Sequence, residues 1–205
     1  FVRRWRALSR VTSMSNEWHE HRRAIVGRAI SIGIAVAIYG VSFGALGVAT
    51  GLSVVQTQAL SLLMFTGASQ FALVSTLAAG GTALAAIAAA FLLGLRNSAY
   101  SLRMAPLLEV SGKARLLAAH LTIDESTAMG LSQDGQAHQG RAAKLAFWAT
   151  GVSVFIFWNL ATLIGAVTVS AIGDPKAFGL DAAIAAGLFA LVWPQIKDRS
   201  KRLCP

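Results

Sequence analysis

Residues 65–71 read FTGASQF, and they interrupt the longest charge-free stretch of the chain. From Ala29 to Leu95 there is no Asp, Glu, Lys, Arg or His. A transmembrane helix needs about 20 apolar residues, so this stretch is long enough for two or three passages. A glycine, a serine and a glutamine within it admit two readings. Either neighbouring helices pack against them, or the chain breaks there to hold something.

The rest of the sequence has the same character. Leu145–Gly173 is again free of charge, and Asp181 is the single charged residue between Ala177 and Ile196. Of the 205 residues 55% are hydrophobic and 13% charged, against about 25% charged in soluble domains. Soluble core helices show a polar face every few residues, and these stretches do not. The composition therefore predicts an all-α, polytopic integral membrane bundle of about 4–6 membrane segments. The net charge of +9 clusters at the ends of the apolar runs, where it sets orientation by the positive-inside rule. Nucleic-acid binding is set aside on that ground. One cysteine, Cys204, offers no disulfide framework, and His19, His21, His120 and His138 show no ligand spacing supported by a third group, so neither a metal site nor a cofactor is expected.

Residues 1–27 read as a cytoplasmic basic arm. Met14 opens MSNEWHEHRRAIVGR, a natural start, so residues 1–13 read as non-native. The first helix is expected over Arg28–Thr50. Its Gly33, Gly40, Gly44, Gly47 and Gly51 share one face, which lets another backbone approach closely. A second segment is expected over Ala59–Ala79, a third from Ala83 until Pro106 stops it, and two more over Ala143–Ile172 and Phe178–Gln195. Between them ARLLAAHLTIDESTAMGL (residues 114–131) reads as one surface or re-entrant helix.

Orientation bears on FTGASQF. With the N-terminal arm inside, a plain crossing at 59–79 would place Arg103, Lys113 and Arg115 outside. A re-entrant pair of half-helices over 59–79, broken near Gly67, returns them to the cytoplasmic side with Arg141, Lys144 and the basic tail. Broken helices also present unpaired backbone groups at mid-membrane, which transporters use to hold charged substrates.

Four stretches carry a family resemblance: FTGASQFALVS, LGLRNSAYSLRMAP, HLTIDESTA and GLDAAIAAGLFAL. In order and spacing they resemble the AzlC family, over roughly Ala24–Ile196. The resemblance implies the large subunit of a bacterial inner-membrane exporter of leucine, isoleucine, valine and sometimes methionine. It also implies a small AzlD-type membrane subunit as partner. Two departures stand out. Family members carry an asparagine and a histidine around the Leu-Arg pair where this chain has Gly94 and Asn97. They also continue with an apolar segment where this chain has KDRSKRLCP, so residues 28–196 form the expected permease domain and 197–205 a tail truncated relative to the family.

A zwitterionic substrate needs donors for its carboxylate and acceptors for its ammonium. Thr66, Gly67, Ser69 and Gln70 can supply the neutral part, although Ser69 can equally bond back to its own helix and Gln70 to a neighbour. Arg96, roughly 20 Å into the third segment, either snorkels to the headgroups or meets substrate, with Asn97 beside it. Asp124 and Glu125 are candidates for binding the ammonium, for carrying a coupling proton or for pairing with Arg96; the alternative is a solvated surface helix. His120 stands four residues before Asp124 and can pair with it. The functions that compete with amino-acid export are export of another small metabolite and a non-transporting truncated subunit. A membrane hydrolase built on Ser69, His120 and Asp124 lacks a nucleophile elbow, and no nucleotide-binding motif is present.

Overall fold

A computed structural model describes residues 2–133 and 139–172. The expected helix over 178–195, with Asp181 and Trp193, and the tail with Cys204 lie outside the described residues. Among the described residues every regular element is helical: α1 (Val2–Ala49), α2 (Val54–Leu63), α3 (Ala68–Ala78), α4 (Ala83–Leu108), α5 (Gly112–His120), α6 (Asp124–Leu131) and α7 (Gln139–Ile172). Glu17–Ala49, Ala83–Leu108 and Gly140–Ile172 are long and apolar enough to cross a bilayer. The expected polytopic helical membrane protein is what the chain forms.

Helix α1 corrects the reading of the N-terminal arm. The helix does not begin at Arg28 but runs through the basic segment, which has no proline, one glycine (Gly27) and several strong helix formers. Packing also fixes part of it. Ile25 is buried against Ala142 and Ala146, the Arg141 guanidinium lies 4.6 Å from the Trp18 ring centroid, and His21 Nε2 is 3.1 Å from Gln133 Oε1.

The break foreseen near Gly67 is present, and Gly67 itself has φ +60°, a conformation that L side chains seldom adopt. Helix α2 starts earlier than Ala59 because Ser53 and Gln56 form a capping box. The Ser53 hydroxyl accepts from the Gln56 N–H at 3.1 Å and the Gln56 side chain accepts from the Ser53 N–H at 2.8 Å. The two short helices double back on each other. Gln70 Nε2 donates to the Leu60 carbonyl at 3.1 Å, whereas residues ten apart on one straight helix are about 15 Å apart. Gln56 near the start of α2 and Leu77 at the end of α3 line a common cleft.

Two further boundaries differ from expectation. Pro106 does not stop α4, which continues to Leu108 and closes where Glu109, at φ 51°, donates its N–H to the Ala105 carbonyl at 3.1 Å. The segment 114–131 is not one helix either. It breaks at 121–123, where the Ser126 hydroxyl donates to the Leu121 carbonyl at 2.6 Å and accepts from the Ile123 N–H at 3.1 Å. Thr122 Oγ1 bonds the Ala118 carbonyl at 2.7 Å. Those two side chains take up backbone groups that a continuous helix would have paired.

The chain divides into two compact units. The first comprises residues up to 35, 65–67 and 92–156, and its interior includes Ile25, Met104, Ala146 and Phe147. The second comprises 36–64, 68–91 and residues from 157 on. Its centre is Phe43, Phe71 and Trp158, with Phe43 and Phe71 edge to face at 5.8 Å. Here the glycine stripe of α1 meets α7: a Cβ on Gly44 would strike the Thr162 carbonyl, one on Gly40 would lie 2.9 Å from the Trp158 carbonyl, and one on Gly165 would strike the Val41 carbonyl. Gly51 leaves the stripe, since it lies past the end of α1 at φ +93°.

Two predictions follow from this packing and from the hairpin. Gly44→Ala sets a methyl against backbone that cannot swing away, and overpacking of this kind costs about 1–3 kcal/mol. Gly27→Ala meets nothing within 4 Å and gains up to about 1 kcal/mol of helix propensity. Thermal melts of the detergent-solubilised protein should therefore move in opposite directions. In a Cys204→Ser background, cysteines placed at Val55 and Thr82 should react with an impermeant maleimide from the same face of the membrane. Labelling from opposite faces would mean that 54–78 is a crossing.

Candidate functional site

In the first unit α4 supplies Arg96 and the first turn of α6 supplies Asp124, and Arg96 Nη2 lies 2.8 Å from Asp124 Oδ2. Both side chains are partly exposed, at 38% and 44%, yet each keeps a buried polar atom without a partner, Arg96 Nε and Asp124 Oδ1. Asn97 Oδ1, next along α4, is buried and unpartnered too. So is the hydroxyl of Thr127, a residue only 5% exposed and one turn beyond Asp124 on α6. The Tyr100 phenol, one turn beyond Arg96, lies near the Asp124 carboxylate.

Local sequence explains why the acid sits there. The Ser126 bonds start α6 at Asp124, so Asp124 and Glu125 fall in its first turn, where the helix dipole favours negative charge. Glu125 is half-buried, and burial pushes its carboxyl above the ordinary carboxylate range. Of the choices open for Arg96 and Asp124, the structure realises their mutual pairing. His120 does not pair with Asp124, because the break at 121–123 separates them. Its ring lies 6.0 Å from Phe65 and 5.7 Å from Phe155. Thr66 and Gly67 occupy the break between α2 and α3, and the Thr66 hydroxyl is buried and unpartnered.

Ser69 and Gln70 belong to the second unit and to an uncharged polar cluster. Gln70 is fully buried and bonds the Leu60 and Ser61 carbonyls, which is the neighbour-bonded reading of that residue. Ser61 donates to Thr162 Oγ1 at 3.2 Å, and Gln58 Nε2 reaches Asn159 Oδ1 at 3.3 Å. The Ser69 hydroxyl belongs to a residue 2% exposed and, among the described residues, bonds neither back to its own helix nor to a base. Gln58, Ser61, Thr127 and Thr162 escape sequence reasoning: each is an ordinary polar residue in a helix until its partner is known. Tyr100 had a signal, standing four residues from Arg96.

Elsewhere the second unit holds a cleft of about 400 Å³ between α2, α3 and the start of α4. Its walls are almost wholly aliphatic, Gln56 apart, so it offers nothing that orients a charged molecule. On the first unit Lys144 Nζ lies 2.7 Å from Glu109 Oε2 and draws that exposed carboxyl below its ordinary range. Among the described residues no three His, Cys, Asp or Glu side chains come together as a metal site.

Comparison with known proteins gives one match. The family model described as AzlC protein covers residues 31–172, about two thirds of the chain. No curated protein and no solved structure matches significantly. The matched span holds both helix breaks, the Arg96–Asp124 pair and the uncharged cluster, and the chain belongs to the AzlC family, a family associated with membrane transport.

Proposed function

We propose that the chain is the large subunit of a secondary exporter of branched-chain amino acids. It works in the bacterial inner membrane with a small AzlD-type membrane subunit, its N-terminus cytoplasmic. The observation that carries this reading is the short helix α6 that opens on Asp124, with Arg96 of the apolar helix α4 against it. Ionisable groups in such a setting are costly and mark substrate or ion pathways. Half-helix ends are where transporters meet polar substrate groups. Arg22, Arg23 and Arg28 support the cytoplasmic N-terminus.

The reading is tested by efflux of leucine and isoleucine from cells loaded with the corresponding dipeptides. The expected result is export only when this chain and the small subunit are expressed together. Asp124→Asn should lower it by about tenfold or more, because it removes one partner of a charged pair and leaves Arg96 uncompensated. Leucine and isoleucine efflux no greater than in cells lacking both subunits, with the chain found in the membrane fraction by immunoblot, would overturn the branched-chain assignment.

A further inference from the structure

We infer that the Arg96–Asp124 ion pair is the empty form of a zwitterion site, in which the two side chains neutralise each other until substrate separates them. This deepens the transport reading and rests on it for setting; its own claim is which residues hold the two poles of a zwitterionic substrate and what neutralises them when the site is empty.

The geometry supports a pair built to open. An ion pair that served structure alone would have its remaining polar atoms satisfied, since a buried charged network with loose ends is costly. Here four such atoms belong to the pair or to residues within one turn of it on α4 and α6: Arg96 Nε, Asp124 Oδ1, Asn97 Oδ1 and Thr127 Oγ1 are all buried without partners. Two of those atoms, Arg96 Nε and the Thr127 hydroxyl, can donate to a carboxylate, and the other two, Asp124 Oδ1 and Asn97 Oδ1, accept from an ammonium. The inventory thus matches the two poles of an α-amino acid head group, with a donor set and an acceptor set. A substrate with both charges replaces one ion pair by two and leaves the site neutral. A substrate with one charge pairs with one residue and strands the other, the more expensive outcome in a low-dielectric setting. With no substrate bound the site is neutral as it stands and needs no counter-substrate to balance it. The remaining charged or ionisable groups nearby, Glu125 and Tyr100, are not required to supply either pole.

The test is ligand-induced thermal stabilisation of the purified full chain. The panel is the twenty amino acids and, for each amino acid that stabilises, its 2-oxo acid and its decarboxylated amine. The expected result is stabilisation by a zwitterion, with either one-charge analogue about 10-fold to 100-fold weaker, the loss of one charged hydrogen-bonding partner. The Arg96→Asp, Asp124→Arg double variant restores an ion pair but exchanges the poles, and should melt near the wild type while losing the ligand response. If leucine, isoleucine and valine are silent and another amino acid stabilises with the same charge requirement, the branched-chain assignment fails and the zwitterion site stands. Equal stabilisation by a one-charge analogue, an undiminished response in a folded double variant, or no response to any amino acid would each overturn the proposal. The analogue comparison uses the native chain alone, so a double variant that does not fold leaves the decision intact.

Discussion

In the hydrocarbon core of a bilayer no water reaches a backbone group, so a helix that stops there must have its ends satisfied by protein. Burial imposes the same demand at the two breaks 64–67 and 121–123, where Phe65, Leu121, Thr122 and Ile123 are buried. At 121–123 Ser126 and Thr122 take three main-chain groups between them. At the other break Gln70 reaches back to two carbonyls in the last turns of α2. The polar residues that look out of place in an apolar sequence are there in part to end helices. Once helix ends are secured, they become positions at which charge can be held.

The two polar regions use different chemistry, and the difference is in proportion to their setting. The second unit solves burial with neutral groups: Ser61 with Thr162 and Gln58 with Asn159. Interhelical hydrogen bonds of this sort contribute about 0.6 kcal/mol on average. The close approach of α1 and α7 at Gly40, Gly44 and Gly165 supplies the packing that holds the cluster in place. The first unit instead carries a full charge of each sign. An exposed pair contributes about 0–1 kcal/mol; this one is partly exposed, yet removing either member leaves the buried atoms of the other, Arg96 Nε or Asp124 Oδ1, without a charge partner. A neutral hydrogen bond can be remade with any neighbour. The charged pair accepts only another charge.

Much of this was legible in the sequence, and what was not has a physical cause. The charge-free runs mark the long helices, Gly67 marks the first break, and the spacing of Gly40, Gly44 and Gly47 marks the tight face of α1, because each is a property of one segment. Boundaries set by side-chain capping were missed. Ser53 with Gln56 moved α2 forward, and Ser126 split 114–131, although an S-x-x-Q pattern was present at the first of these. The helical form of the basic arm was missed because burial of Ile25 against Ala142 and Ala146 joins residues more than a hundred positions apart. The same reason hides the uncharged cluster, whose pairs all span distant segments except for Gln70. For the candidate site, the residues Arg96 and Asp124 stood out as charges in apolar surroundings, but their pairing depends on a break that the sequence shows only as DES following a threonine and an isoleucine.

That break also explains why Asp124 meets the arginine and not the histidine. If 114–131 were one continuous helix, His120 and Asp124 would share a face one turn apart, and the histidine would be the natural partner of the acid. Stopping α5 at His120 and restarting at Asp124 uncouples the two faces. His120 is left against the Phe65 and Phe155 rings, and Asp124 is free to turn to α4. The carboxylate then gains from the start of α6 as well as from Arg96, and it does so without a second positive charge that would hold it permanently. An acid tied to both a histidine and an arginine would be a fixed structural node. An acid with one charged partner and one unused oxygen can exchange that partner for another.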